Sequence, residues 1–160
     1  MVETSLQQEI KKKHPFDSPE QEAFLNLLRT TDQLQAEFSR LFALHALSGP
    51  QYNVLRILRG AGGDGLPCLE IAGQMITRMP DITRLVDRLE TAGLVERSRT
   101  DTDRRVVLVK ITPGGLELLA KLDQPVLETH KKVMANLTED ELRELARLLT
   151  KARSNCPANS

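Results

Sequence analysis

Two arginines four residues apart, Arg84 and Arg88, stand in a segment whose apolar residues Ile82, Leu85, Val86 and Leu89 recur at helical spacing. Advancing about 100° per residue gathers those four within about 60° of one line. Arg84, Asp87, Arg88 and Thr91 fall on the other side, with Thr83 on the flank. A guanidinium fork suits guanine edges and phosphate oxygens, and threonine can bond a base or set its methyl against thymine. Such a helix has the chemistry to read duplex DNA. It also has the composition of an ordinary surface helix, with Arg84 or Arg88 paired to Asp87 or its neighbours. The segment alone leaves both readings open.

A second cluster follows. Asp103, Arg104 and Arg105 lie at or beside a short polar tip, residues 100–104, between β-rich runs at 94–99 and 105–112. Arg105 enters a strand that holds it on a rigid arm, and Asp103 is close enough to fix its guanidinium by a charge-assisted bond. A charged hairpin directly after an arginine-bearing helix is the layout of a winged helix-turn-helix. The helix enters the major groove, and the hairpin reaches the phosphates or the minor groove beside it. From 77 to 110, eight basic residues face six acidic ones, a modest local surplus. Over all 160 residues, 22 basic and 22 acidic residues cancel, so only the local distribution favours a polyanionic partner.

These residues need a scaffold, and punctuation along the chain predicts one. Residues 1–16 read as a flexible polar lead; its Lys11-Lys12-Lys13 run is either solvated or an arm toward a dimer partner or phosphates. Ser18-Pro19-Glu20-Gln21 starts a long helix to about Leu47 whose broad apolar face calls for a covering helix. Ser48 to Gln51 repeat the signal and open a second helix through Arg59, with Tyr52, Leu55 and Leu58 inward. After a glycine-rich loop, Leu66 makes a strand contact and residues 67–76 form a third helix. Thr77 and Pro80 open the fourth, and Gly93 closes it in the left-handed conformation. Past the hairpin, Thr112-Pro113 starts a fifth helix to about Ala135, which Pro125 kinks or splits. Thr138 to Glu141 cap a last helix, and 155–160 is tail. The class is mainly α with a small β-hairpin wing.

Composition excludes several alternatives. At 40% hydrophobic and 28% charged the chain is globular. Aromatics at 3%, with no tryptophan, argue against stacking platforms for single strands. Neither a membrane-length apolar run nor a leader is evident, so the cytoplasm is the expected compartment. Cys68 and Cys156 make no disulfide framework. Cys68 falls in the first turn of a predicted helix, where the dipole favours thiolate, or it is a small buried hydrophobe. His14, His45 and His130 lack ligand spacing, so no metal or other cofactor is expected. No nucleophile–base pair or phosphate loop emerges, which disfavours an enzyme. A winged helix used to bind proteins remains as the rival to DNA binding.

The segments QYNVL at 51–55, TRLVDRLETAGLV at 83–95 and DRRVVLVKIT at 103–112 resemble the MarR family of bacterial transcription regulators. The resemblance is detailed over 47–112 and extends over 18–154 by helix order. It implies a homodimer, with dimerisation helices at 17–47 and 113–154 flanking a winged DNA-binding lobe at 48–112. It implies a regulator, expected to be a repressor on a pseudo-palindromic operator. Arg105 corresponds to the wing arginine of the minor groove, oriented by Asp103, and Thr83 and Arg84 to major-groove positions. Members are commonly released by a small phenolic or aromatic ligand in a cleft between lobe and dimer helices, which makes His45 and Tyr52 candidates; each also fits a core role. The peroxide-sensing branch carries a cysteine near its N-terminus, and this chain has none there.

Overall fold

The computed structural model describes residues 5–99 and 106–156. Among these residues the helices are α1 (Leu6–Glu9), α2 (Pro19–Ala43), α3 (Gly49–Gly60), α4 (Cys68–Gln74), α5 (Ile82–Thr91), α6 (Pro113–Val133) and α7 (Glu139–Arg153). Strands β1 (Leu66–Pro67), β2 (Val95–Arg99) and β3 (Val107–Ile111) form an antiparallel sheet in the order β1-β3-β2. The class is mainly α with a small β wing, as the sequence predicts.

Side-chain caps set most helix starts. Ser18, Ser48, Asp81, Thr112 and Thr138 each accept a hydrogen bond from the backbone N–H three residues on. Gln51 and Glu141 return the bond to the backbone of Ser48 and Thr138, closing two capping boxes.

Boundaries differ from expectation where a local contact overrides periodicity. The first long helix stops at Ala43 because Ala46 turns left-handed (φ 53°) and Leu47 N–H bonds back to the Phe42 carbonyl at 3.0 Å. That turn buries both Phe42 and Leu47. Helix α4 begins after Pro67, which is extended and pairs with Leu108. It ends before Met75, which leaves the helix and buries its side chain. Helix α5 opens at Ile82 because Asp81, rather than Thr77, supplies the cap. Within residues 1–16, Ser5 and Gln8 box a one-turn helix that buries Leu6. Helix α6 passes through Pro125 without splitting, and the Thr129 hydroxyl donates to the Pro125 carbonyl at 2.8 Å.

Helix α3 lies at the centre. Its Val54, Leu55 and Leu58 are fully buried, with α5, α6 and β3 against it. Phe42, Ile71, Val86, Leu89, Val95, Val109, Leu119 and Leu122 join the core from α2, α4, α5, β2, β3 and α6. Each such side chain contributes roughly 1.5–3 kcal/mol of transfer free energy, which holds the helix-turn-helix pair α4–α5 on a fixed base. Helix α2 runs along α6, and α7 buries no residue.

The end of α5 is a tight joint. Gly93 takes φ +71°, and Gly93 and Leu94 N–H bond to the carbonyls of Glu90 and Leu89, a Schellman closure. Thr112 ties this turn to the next elements. Its hydroxyl donates to the Gly93 carbonyl at 2.7 Å and accepts from Gly115 N–H at 3.1 Å, while its N–H donates to the Leu94 carbonyl at 3.1 Å. A Cβ on Gly115 would collide with that Leu94 carbonyl, so the start of α6 is pressed onto the joint.

Candidate nucleic-acid interface

Helix α5 buries Leu85, Val86 and Leu89 and exposes Thr83, Arg84, Asp87, Arg88 and Thr91, the division expected from its periodicity. Asp81 is spent on the cap, accepting from Arg84 N–H at 2.9 Å. The intrahelical pairing that would make this an ordinary surface helix does not form. Among the described residues, neither Arg84 nor Arg88 makes a salt bridge; Asp87 pairs instead with Arg97 of β2 at 2.5 Å. Glu90 is held by the same guanidinium at 2.5 Å. Burial is the largest single influence on Arg97 and opposes its charge, yet Asp87 and Glu90 together outweigh it and raise its pKa above the usual arginine value. Both carboxylates of the helix are therefore matched from outside it.

The wing grows directly from this helix. β2 pairs with β3 in continuous antiparallel register from Val95↔Ile111 to Arg99↔Val107. Asp103, Arg104 and Arg105 lie outside the described residues.

A second feature lies behind the interface. A cavity of about 420 Å³ opens between α2, α3, the end of α4 and α6, lined among others by Phe38, Phe42, Tyr52, Asn53, Val126 and His130. Two ring pairs stand in its wall: Phe42 stacks on Tyr52 at 4.5 Å, and Phe38 meets His130 at 4.6 Å. Tyr52, one of the two candidates for a ligand contact, lines this cavity. His45 does not line it; it follows α2 in the turn that buries Leu47. His130 lines the cleft in its place. Sequence reading passed over it because its ring partner Phe38 is remote in the chain.

Beside the cavity, α3 is bound to α6. Arg59 grips Asp123 through two bonds of 2.8 Å, and Arg56 adds a contact at 3.7 Å while donating to the Tyr52 hydroxyl at 3.3 Å. The hydrogen bonds from Arg59 hold the Asp123 carboxyl below its ordinary range.

The other sequence candidates lie apart. Cys68 is half-buried at the start of α4, and Cys156 is exposed beyond α7. Lys12 bonds the Pro15 carbonyl at 3.0 Å and stands over the Phe16 ring, while Lys11 and Lys13 are exposed. Among the described residues there is no metal-binding group of His, Cys, Asp or Glu, and no helix is long and apolar enough to cross a membrane.

Comparison with known proteins bears on this arrangement. A model of the MarR family matches residues 47–107. The multiple antibiotic resistance protein MarR of Salmonella typhimurium is 34% identical over 106 residues, covering 66% of this chain and 72% of that protein. The crystal structure of a MarR transcription factor from Planctomyces limnophilus is 46% identical, with a TM-score of 0.67, covering 85% of this chain and 98% of its own. A mutant MarR from E. coli complexed with operator DNA superposes with a TM-score of 0.73 at 26% identity, covering 93% and 99% of the two chains.

Proposed function

The chain belongs to the MarR family of transcriptional regulators, and from that premise we propose that it is a homodimeric repressor of a pseudo-palindromic operator, released by a small aromatic ligand. The observation that carries the reading is the charge arrangement on α5. Arg84 and Arg88 are exposed and form no ion pair among the described residues, while Asp87 and Glu90 are matched by Arg97. Arg84, Arg88 and Thr83 meet the major groove; Arg105, oriented by Asp103, enters the minor groove, and Arg104 lies at the phosphates.

The stem, residues 17–47 and 113–154, supports the dimer. Phe24 is 59% exposed and Leu148 47%, and Leu27, Leu28, Leu116, Leu127 and Leu145 are also exposed. A second copy covers these side chains and sets the two recognition helices about one helical turn of DNA, ~34 Å, or a multiple apart. The cleft, with two ring pairs in its wall, takes a phenolic or similar aromatic molecule, with Tyr52 and His130 against it. Lying where lobe meets stem, it couples occupancy to the spacing of the helices.

The test is binding to duplexes from the DNA flanking the gene, across a salt series, against random duplex. Tight binding that weakens steeply with salt and is lost in Arg105→Ala supports the reading. Arg84→Ala is expected to cost about 1–3 kcal/mol on the operator if it reads a base. Equal affinity for operator and random duplex at every salt would overturn it and favour a protein-binding winged helix.

A further inference from the structure

Arg97 is the third residue of β2, paired with Val109 at the root of the wing. Its guanidinium reaches back across the Gly93 turn and meets α5 at three points: Asp87 and Glu90, each at 2.5 Å, and the Thr83 carbonyl at 3.5 Å. Its backbone N–H also donates to Glu90 Oε1 at 3.2 Å. Thr83 and Glu90 are about two helical turns apart, so these contacts constrain the tilt of the helix as well as its distance from the strand.

We propose that Arg97 is a positioning residue for DNA recognition, fixing the recognition helix against the wing so that both engage one duplex in register. The proposal rests on the reading of α5 as the groove-entering helix. Three features give Arg97 this role rather than that of a phosphate contact. Its side chain is only 24% exposed, and both terminal nitrogens of its guanidinium already donate to α5. It sits where the two DNA-facing elements join, so a change of angle there is magnified toward the wing tip. It also removes an electrostatic obstacle. With its cap, α5 carries Asp81, Asp87 and Glu90 against two arginines, and pairing Asp87 and Glu90 leaves Arg84 and Arg88 to dominate the face toward the phosphates. A lysine supplies the charge but lacks the planar fork that joins separate acceptors.

The test uses the full chain, its operator and a random duplex of equal length; the ratio of the two affinities is the readout. Loss of folded protein lowers both affinities together and leaves the ratio unchanged. Arg97→Ala and Arg97→Lys are each expected to lower operator affinity about tenfold, the size of one mismatched base pair. Arg97→Lys keeps random-duplex affinity within about twofold, since it preserves the charge. Asp87→Ala with Glu90→Ala removes two negative charges, so it strengthens random-duplex binding and yet lowers the ratio. Restoration of the ratio by lysine, or equal weakening of both duplexes by Arg97→Ala, would overturn the proposal. Should the alanine variant not fold, Arg97→Lys decides alone. Arg84→Ala separates the levels: no change in its ratio removes the reading of α5 itself, whereas a fall there with none in the Arg97 variants removes only the role of Arg97.

Discussion

The DNA-facing lobe and the helical stem use apolar residues in opposite ways. In the lobe, Val54, Leu55, Leu58, Ile71, Val86, Leu89, Val95 and Val109 are shut away from water within one chain. In the stem, α6 lays Leu119, Leu122 and Val126 against that core, but α2 buries only Phe42 over 25 residues and α7 buries nothing. Each α7 turn presents leucine, yet Leu145 and Leu148 stay exposed and its charges pair among themselves, as in Arg147–Glu144. The lobe's folding is therefore an intramolecular matter. In the proposed dimer the stem's is completed by association, which would make its stability depend on protein concentration.

That contrast can be broken or sharpened by substitution, and the largest effect belongs to the lobe. Leu89→Ala should cost about 2–5 kcal/mol, measured by urea unfolding, and the loss should be the same at every protein concentration. Leu145→Glu with Leu148→Glu should instead weaken association by about 2 kcal/mol or more if the pair is central to the interface. Sedimentation would then give a monomer while the lobe keeps its structure; a dimer of undiminished affinity would remove α7 from the interface. Thr138→Ala deletes the cap of α7 and should cost about 1 kcal/mol, detected as fraying of α7 by hydrogen exchange, with the lobe unaffected.

The smallest effect lies at the border of the two regions. The folded Asp123 pKa is lowered, chiefly by the hydrogen bonds from Arg59. Its contribution is therefore present above the unfolded carboxyl pKa, about 4, and is lost as pH falls through the folded value. The pair is partly solvent-exposed, so the loss should stay below about 1 kcal/mol. Asp123→Asn should flatten that acid limb by lowering the neutral plateau by the same amount, leaving stability below the folded pKa nearly unchanged.

Helix ends were legible in the sequence of both regions. Caps at Ser18, Ser48, Thr112 and Thr138, the stop at Gly93 and the periodicity of α5 are local signals, each readable from a few consecutive residues. What escaped was non-local. Arg97 counted only as one basic residue among eight, because its pairing with Asp87 and Glu90 depends on how the Gly93 turn folds β2 back along α5. His130 was invisible as a cleft residue because its ring contact with Phe38 requires α2 and α6 to lie side by side. His45 was expected near the cleft, but the left-handed turn at Ala46 carries that segment elsewhere. Pro125 shows the limit of a local rule: it removes an N–H from α6 without ending the helix.

The Thr112 joint gives the stem mechanical authority over what touches DNA. One threonine terminates the wing's return strand, starts α6 and is bonded to the turn that ends α5. With Gly115 packed against the Leu94 carbonyl, little room is left for slack. The first turn of α6 is therefore placed as a fulcrum, so that a small swing of that helix would carry groove helix and wing together as one jaw. On the proposed reading, a ligand wedged beside α6 would not need to disturb a single DNA-facing side chain to loosen the grip; changing the angle of the lever would be enough.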